Sequence, residues 1–301
     1  MNISLKILIR SMVSVSLLVL LQCKKTEVVY IPDPYVFKLA TSPTLGSYLT
    51  DKNWNALYIF ASDADGASNC ITGCIADWTV FDAKGLSQLN LVTGLILSDF
   101  DSITSANGRQ LTYKGWPLYY YSPGGVREKA KLTSGDNVGP GLWFVAKPDY
   151  TVMVANFQLV GIDGKSYIGS ATNVYTEGSG ESTYFTDARG RTLYVFASDS
   201  ANVNLWTSAT DTIHNAMFPV YNSEIAFVPS ALDKTLFGSL NLYGTKQLTY
   251  KGWPVYYFGE DVDSLSRKFR GNTKGISVGI TGTSALWPAL FKDVTPAPAK
   301  K

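Results

Sequence analysis

An internal repeat constrains the fold of this chain more than any other feature of its sequence. Residues 48–63 (YLTDKNWNALYIFASD) match residues 184–199 (YFTDARGRTLYVFASD) at nine of 16 positions. Residues 110–120 (QLTYKGWPLYY) match residues 247–257 (QLTYKGWPVYY) at all but one position, with nearly the same offset. Because a repeat of this kind is one structural unit that recurs, the chain is predicted to contain two homologous halves.

Each half also repeats within itself. The predicted first half is residues 43–160, and the predicted second half is residues 161–293. In the first half, Leu49-Thr50-Asp51 precedes an apolar run, and Leu111-Thr112-Tyr113 precedes another. Four turns that contain Gly, Asn or Pro separate the predicted strands: Asn53-Trp54-Asn55, Lys114-Gly115-Trp116-Pro117, Arg189-Gly190-Arg191 and Lys251-Gly252-Trp253-Pro254. The sequence therefore predicts four related β-hairpin units, two in each half.

The composition of the predicted strands indicates an all-β fold. Apolar residues fill positions 57–60 (LYIF) and 193–196 (LYVF) without interruption, as in strands that are covered on both faces. Thr, Tyr, Val and Phe are plentiful, and no strong helical periodicity follows the N-terminal segment. We predict antiparallel sheets, with the four units either paired as two sandwich-like lobes or closed as a small propeller.

The N-terminal segment predicts export and a lipid anchor. A basic start precedes an uncharged apolar stretch that is too short to span a bilayer as an ordinary helix. The stretch ends in Leu20-Leu21-Gln22-Cys23, which resembles the lipobox of bacterial lipoproteins, and Gln22 is similar to the looser lipobox of spirochaetes. We expect residues 1–22 to be a signal peptide and acylated Cys23 to anchor the protein to the membrane, at the outer membrane or cell surface. The alternative is a plain cleaved signal in which Cys23 has no role.

Segments with several prolines border the predicted folded part. Residues 23–42 contain Pro32 and Pro34, and residues 294–301 contain Pro296 and Pro298. Segments of this kind rarely pack. We predict a lipidated tether over 23–42 and a disordered tail over 294–301.

Charge and histidine content exclude several classes of function. The chain has 26 Lys and Arg against 24 Asp and Glu, and the signal segment holds two of the bases, which leaves 24 of each. A neutral protein cannot supply the summed phosphate contacts that hold nucleic acid, so no nucleic acid is expected as a partner. The single histidine, His214, excludes sites that need two imidazoles, and no Gly-x-Ser-x-Gly turn accompanies it to indicate a serine triad.

A motif ends each of three predicted strands. Residues 58–63 (YIFASD), 194–199 (YVFASD) and 256–261 (YYFGED) have the pattern Tyr-x-(Phe/Trp/Tyr)-x-x-Asp. In the remaining unit Gly124 stands where Tyr119 predicts the aspartate. Any role of the carboxylate is therefore expected to be absent from that unit.

The motif resembles a family of bacterial secreted-repeat lipoproteins with no assigned general function. The family has a cysteine pair followed by a tryptophan after its first motif, and Cys70, Cys74 and Trp78 are similar to that arrangement. The resemblance covers about residues 45–292. It implies an exported location and a repeat fold rather than a reaction.

Cys70 and Cys74 are the thiols that remain once Cys23 is acylated. In an exported protein two isolated cysteines most often form a disulfide, and a short loop with Gly73 can bring them into range. The alternative is a redox pair, although thiol exchange usually uses a Cys-x-x-Cys spacing at the start of a helix. Haem attachment is not expected, because the Cys-x-x-Cys-His motif is missing.

The motif aspartates Asp63, Asp199 and Asp261 have two interpretations. Each carboxylate accepts backbone N–H groups from the turn after its strand, or it contacts a ligand or metal. Asp63 and Asp65 begin like a calcium loop, but the third ligand and the distal Glu are missing, so we expect no metal site.

Four aromatic residues beside the turns are further candidates for ligand contact: Tyr113, Trp116, Tyr250 and Trp253. Rings at turns can stack on sugars or anchor a protein partner. A repeat that buries the same face in each unit would also place aromatic residues at recurring positions, so core packing is the competing interpretation.

These patterns favour a membrane-anchored exported lipoprotein that acts as a non-enzymatic surface binding or structural module. We expect no cofactor, and the possible partners besides the membrane are a surface protein or a glycan. The competing hypothesis is a periplasmic or surface redox or cofactor-binding protein that transfers electrons through Cys70, Cys74 and the tyrosine clusters.

Overall fold

The computed structural model describes residues 34–261 and 269–300. The predicted signal peptide and Cys23 lie outside these residues. The described residues form short antiparallel strands, single turns of 3₁₀ helix and one α-helix, so the predicted all-β antiparallel fold is confirmed. Within these two ranges no helix has the length and apolar character needed to cross a membrane.

The first half contains a hairpin, a three-stranded sheet and a four-stranded sheet. Their orders are β1-β2, β5-β6-β7 and β4-β8-β3-β9. The strands are β1 (Phe37–Ser42), β2 (Gly46–Asp51), β3 (Tyr58–Phe60), β4 (Trp78–Val80), β5 (Phe100–Ser105), β6 (Gly108–Tyr113), β7 (Trp116–Pro117), β8 (Tyr119–Tyr121) and β9 (Trp143–Val145).

The second half repeats the hairpin, which gains two further strands, and the three-stranded sheet, while isolated bridges such as Tyr194–Tyr256 stand in place of the four-stranded sheet. The sheet orders are β12-β11-β10-β13 and β14-β15-β16. The elements are β10 (Val152–Val160), β11 (Ser166–Gly169), β12 (Tyr175–Glu177), β13 (Glu181–Asp187), α1 (Thr212–Met217), β14 (Phe237–Leu242), β15 (Thr245–Tyr250) and β16 (Trp253–Pro254). The 3₁₀ turns of both halves are Ala61–Asp63, Cys74–Ala76, Gln88–Asn90, Leu97–Asp99, Pro123–Gly125, Lys234–Leu236, Gly259–Asp261 and Lys274–Ser277.

Each of the four units has two paired strands, a tight turn and a third segment that crosses into another sheet. The paired strands are β1-β2, β5-β6, β10-β13 and β14-β15, and the predicted turns follow β2, β6, β13 and β15. Two of these turns place a Lys-Gly pair at positive φ, Lys114 at 49° with Gly115 at 81° and Lys251 at 48° with Gly252 at 83°. Positive φ at both central positions produces the reversal that suits twisted strands.

The third segments form the centre of each half. β3 lies between β8 and β9, so the apolar run at 57–60 is in the interior of a sheet, as predicted. Tyr58 pairs with Tyr119 and Val145 there, and the same set recurs in the second half, where Tyr194 bridges Tyr256 and Ala289. The two halves therefore share one architecture.

A continuous hydrophobic core runs through both halves, from Phe37 in β1 to Val294. A smaller cluster around Tyr58, Trp78 and Trp143 belongs to the first half. The halves are thus joined by a common core rather than being separate lobes.

The predicted boundaries need three corrections. The tether was predicted to extend to residue 42, but Phe37–Ser42 is strand β1, which pairs fully with β2. The first half was predicted to end at residue 160, but β10 (Val152–Val160) pairs with β13 and begins the second half. The predicted disordered tail is also wrong at its start, because Val294 is buried and Ala297 N–H donates to Lys251 O at 2.9 Å.

Candidate functional site

The motif tyrosines donate hydrogen bonds to carboxylates of the neighbouring unit. In the first half, Tyr58 and Tyr119 lie opposite each other on β3 and β8. The Tyr119 hydroxyl donates to Asp63 Oδ2 at 2.7 Å, and the Tyr58 hydroxyl donates to Glu128 Oε1. Each tyrosine is therefore bonded to the carboxylate that follows the other tyrosine along the chain.

The second half contains the same reciprocal arrangement. The Tyr256 hydroxyl donates to Asp199 Oδ2 at 2.7 Å, and the Tyr194 hydroxyl donates to Asp261 Oδ2 at 2.6 Å. Both tyrosines are fully buried. The fixed spacing between tyrosine and aspartate thus allows two reciprocal hydrogen bonds between neighbouring units.

Glu128 overturns the expectation that one unit lacks the carboxylate. Gly124 does occupy the position that the motif assigns to aspartate, in a turn where its φ is +64°. Glu128 follows four residues later, and its Oε2 accepts from Ser134 N–H at 3.0 Å and Ser134 Oγ at 2.7 Å. A longer side chain on a later residue places the carboxylate where the other units have aspartate.

The three motif aspartates also accept backbone N–H groups from the loops that follow them. Asp63 accepts from Asn69 at 2.7 Å, and Asp199 accepts from Leu205 at 2.8 Å. Asp261 accepts from Lys274 at 2.9 Å. These bonds agree with the interpretation in which each aspartate accepts backbone N–H groups after its strand. The three carboxylates are at most 1% exposed, so they offer no surface for the predicted ligand contact.

Burial changes the protonation of these carboxyls. It raises the pKa of Asp63 to about 8, that of Asp261 to about 7 and that of Asp199 to about 6, against the hydrogen bonds that favour the ionised forms. Burial also raises the pKa of Tyr119, Tyr194 and Tyr256, so their hydroxyls stay protonated. Each pair of a tyrosine hydroxyl and a motif carboxyl therefore carries no charge or one negative charge near neutral pH. This limits the desolvation cost of burying the pair in the core.

The four aromatic candidates are core residues. Tyr113, Trp116, Tyr250 and Trp253 are each at most 4% exposed. Trp116 Nε1–H donates to Ala188 O at 3.1 Å, and Trp253 Nε1–H donates to Thr295 O at 2.7 Å. Because these four side chains are buried, they have no surface for the predicted contact with a ligand. Their role in this structure is core packing.

The predicted disulfide between Cys70 and Cys74 is confirmed, with the two α-carbons 5.3 Å apart. Cys70 is fully buried and packs in the cluster of Tyr58 and Trp78. The bridge fixes a loop of the first half for which the second half has a different structure.

In the second half that loop is replaced by a segment containing α1. Asp211 caps α1 by accepting from Ile213 N–H and His214 N–H. His214 Nδ1 lies 2.5 Å from Asp211 Oδ2, and its ring packs on Trp206 with centroids 4.3 Å apart. Ser208 Oγ accepts from Asp211 N–H at 3.0 Å, so the three side chains form a loop network rather than a serine triad.

Residues of both halves line an open cleft of about 600 Å³. Thr44, Asp136 and Lys147 come from the first half, and Phe227 and Ser230 come from the second. Beside it, Thr151 N–H, directly before β10, donates to Phe227 O at 2.9 Å. Sequence reasoning missed this site because its residues lie outside the repeated motifs.

Lys147 is the unusual group of this cleft. Its side chain is only 2% exposed, and Nζ lies 3.5 Å from Asp149 Oδ1 and 3.9 Å from the centre of the Phe227 ring. Nζ also donates to Leu45 O. Burial lowers the pKa of Lys147, and the nearby Asp149 carboxylate opposes this effect.

Charges of both signs surround the cleft. Lys234 Nζ lies 5.2 Å from the Phe227 ring, on which Lys147 also packs. Asp136 accepts from Val145 N–H at 2.9 Å, and burial raises the pKa of its carboxyl. Convergent polar groups and a buried lysine whose pKa is lowered make this cleft a candidate for a small-molecule site.

Comparison of the chain with protein-family models, curated proteins and solved structures finds no match. Groups of three or more His, Cys, Asp or Glu side chains that could hold a metal ion are absent from the part of the chain that the structure describes.

Proposed function

We propose that this protein is an exported, lipid-anchored and non-enzymatic binding module whose ligand occupies the cleft between the halves. The N-terminal apolar segment that ends at Cys23 supports export and anchoring at the outer membrane or cell surface. The resemblance to secreted-repeat lipoproteins supports the same location. In this proposal the repeated motifs are the scaffold, and the cleft is the functional site.

The buried Lys147 carries the proposal. Burying an ammonium group costs the free energy of its hydration. Lysine side chains are therefore mostly at the surface of proteins, and a buried one indicates a use for its charge. Its contacts with Asp149 and Leu45 O leave the group beside an open cleft of about 600 Å³. A ligand with an acidic group would restore the interactions that Lys147 loses on burial.

The other lining groups indicate the rest of the ligand. Asp136 and Ser230 can bond to hydroxyl groups, and Lys234 adds a second positive charge. An acidic sugar combines a carboxylate with hydroxyls, so we assign the ligand to the glycan class. The hypothesis of a redox protein has weaker support, because Cys70 is fully buried in its disulfide.

The test is native mass spectrometry of the lipidated full-length protein with glucuronate as the probe. Lys147→Met keeps the packing of the side-chain stem and removes the charge, so glucuronate binding should fall at least tenfold. Lys165→Met is the matched control, because Lys165 is exposed and pairs with Glu177 outside the cleft. Equal binding of glucuronate by wild type and Lys147→Met would contradict the proposal.

A further inference from the structure

The first half contains an exposed loop that carries no charge. Residues 85–98 (GLSQLNLVTGLILS), here called the apolar loop, include no Asp, Glu, Lys, Arg or His. Leu89 is 89% exposed, Ile96 is 52% exposed and Leu97 is 39% exposed. Single exposed aliphatic residues are ordinary, but several on one surface mark a site of interaction.

Gln88 holds the two exposed parts of the apolar loop together. Its Nε2–H donates to Leu95 O at 3.0 Å, and its Oε1 accepts from Leu97 N–H at 2.9 Å. These bonds join the 3₁₀ turn that contains Leu89 to the segment that contains Ile96 and Leu97. The exposed aliphatic side chains therefore belong to adjoining parts of one hydrogen-bonded loop.

The N-terminal tether joins the fold at the apolar loop. Val36 N–H donates to Asn90 O at 3.0 Å, and Phe37 forms a parallel bridge with Leu91. Val36 is 13 positions after Cys23. An extended chain spans at most about 3.5 Å for each residue, so Val36 lies within about 45 Å of an anchored Cys23. Along the chain, the apolar loop is thus attached to the part of the fold nearest the proposed anchor.

A pocket with basic side chains adjoins the same point of entry. Val36, Lys52, Lys84 and Arg127 line this cavity of about 360 Å³, here called the basic pocket. The Arg127 guanidinium packs 3.6 Å from the centre of the Tyr120 ring. Because Lys84 directly precedes the apolar loop, the basic and the apolar surfaces adjoin.

The two acidic side chains of the basic pocket are already bonded. Asp51 Oδ2 accepts from the Tyr120 hydroxyl and from Asn55 Nδ2, each at 2.8 Å. Asp82 accepts from Arg109 Nη1, which lies outside the pocket lining. Three bases against these two acids make the pocket positive, and the pairing of Asp82 with Arg109 adds to this effect.

The corresponding loop of the second half has different surroundings. Thr151 N–H donates to Phe227 O at 2.9 Å, which is the bond that the first half makes at its own point of entry. The second-half loop, residues 222–236, contains three charged residues. Its Phe227 ring packs on Lys147 of the first half and lines the cleft. The repeat thus uses one loop between the halves, and its uncharged counterpart is exposed beside the tether.

The geometry points to the membrane surface as the partner of the apolar loop and the basic pocket, an inference that rests on the proposed lipid anchor. Leu89 and Ile96 enter the boundary between headgroups and acyl chains, where buried apolar area stabilises binding. The basic pocket attracts the phosphates of anionic phospholipids, as basic residues beside a membrane do. The first half therefore lies with this face on the bilayer, rather than being attached through the lipid alone.

The test uses the lipidated full-length protein in vesicles of phosphatidylethanolamine and phosphatidylglycerol. Because Cys23 is acylated and Cys70 and Cys74 form a disulfide, Leu89→Cys adds a single thiol that a fluorophore labels. Ile213→Cys on α1 is the matched control, since Ile213 is 73% exposed and belongs to the second half. Lipids with a spin label near the headgroup should quench the fluorophore at residue 89 at least threefold more than the fluorophore at residue 213.

Two further comparisons test the basic pocket. Lys52→Gln with Lys84→Gln should lower the quenching at residue 89 at least twofold, and so should vesicles of phosphatidylcholine alone. Lys165→Gln is the control for these changes, because Lys165 is exposed in the second half and pairs with Glu177. Quenching that is independent of both the lysines and the lipid charge would overturn the role of the pocket. Circular dichroism checks the folding of each variant.

Vesicle flotation separates failure of the anchor from failure of this inference. Protein that does not float with the vesicles would overturn both the lipid anchor and the membrane contact. Floating protein whose fluorophore at residue 89 is quenched no more than that at residue 213 would overturn the membrane contact alone and leave the anchor intact.

Discussion

Replacing Asp199 by asparagine tests whether the buried motif carboxyls carry a proton in the native protein. Asp199 is 1% exposed and accepts from Leu205 N–H and the Tyr256 hydroxyl. Burial raises its pKa from 3.8 to about 6. At about 1.4 kcal/mol for each pH unit, ionisation costs the native state about 3 kcal/mol.

The sign of the pH dependence follows from this raised pKa. Below pH 3.8 the carboxyl is protonated in the native and the unfolded states, so its full contribution to stability is present. Between pH 3.8 and about 6 only the native state keeps the proton, and the free energy of unfolding falls as pH rises. Asp199→Asn cannot ionise, so its stability relative to wild type should rise by about 2 to 3 kcal/mol between about pH 4 and about pH 8.

Urea unfolding at a series of pH values measures this difference. Asp101→Asn, on the exposed side of β5, is the matched control and should follow the wild-type curve. Tyr256 does not titrate in this range, because burial and the neighbouring Asp199 raise its pKa. Parallel curves for wild type and Asp199→Asn across the range would refute the reasoning.

Three other changes test the anchor, the disulfide and the packing between halves. Cys23→Ala should move the protein from the detergent phase to the aqueous phase in a Triton X-114 partition, and unchanged partition would contradict lipidation at this residue. Reduction of Cys70–Cys74 opens a very short loop, so the free energy of unfolding should fall by less than about 2 kcal/mol. Faster amide exchange should be confined to residues 69–78. Loss of the whole unfolding transition would show that the bridge stabilises the entire fold. Gly190→Ala should lower stability by about 2 to 4 kcal/mol, because φ is +83° and the new Cβ would lie 2.9 Å from Arg270 Cζ. Gly244→Ala has the same φ and no atom within 4 Å, so it should lose only the backbone part; equal losses measured by thermal unfolding would exclude a role for Arg270.

The sequence predicted the parts of the fold that are determined locally. Three of the four turns were predictable because each contains a glycine that takes positive φ, at Gly115, Gly190 and Gly252. The fourth was indicated by its two asparagines, although Trp54 is the residue at positive φ there. The interior position of 57–60 was predictable because an uninterrupted apolar run requires cover on two faces. Strand β1 was missed, since its six residues FKLATS alternate weakly and adjoin a segment with several prolines.

The features that depend on long-range contacts could not be predicted. Glu128 replaces an aspartate from a shifted position, which a search at fixed spacing overlooks. The cleft combines Lys147 with Phe227, and these residues are 80 positions apart in the chain. The C-terminal prolines indicated disorder, whereas Ala297 N–H donates to Lys251 O and Pro298 O accepts from Ala201 N–H, partners that are remote in the sequence.

The bonding within a half and the bonding between halves have different consequences for function. Within a half, two buried tyrosines such as Tyr194 and Tyr256 each donate to a carboxylate of the other unit, so a change at either position affects both units. Between the halves, the contacts are made by turns and by Arg270, which leave room for a cleft beside Lys147. The repeated residues are therefore constrained by the core, and a ligand site can vary only in the segments that are not repeated. Recurrence of a residue in this chain is thus a sign of packing, and the functional residues should be sought among those that occur once.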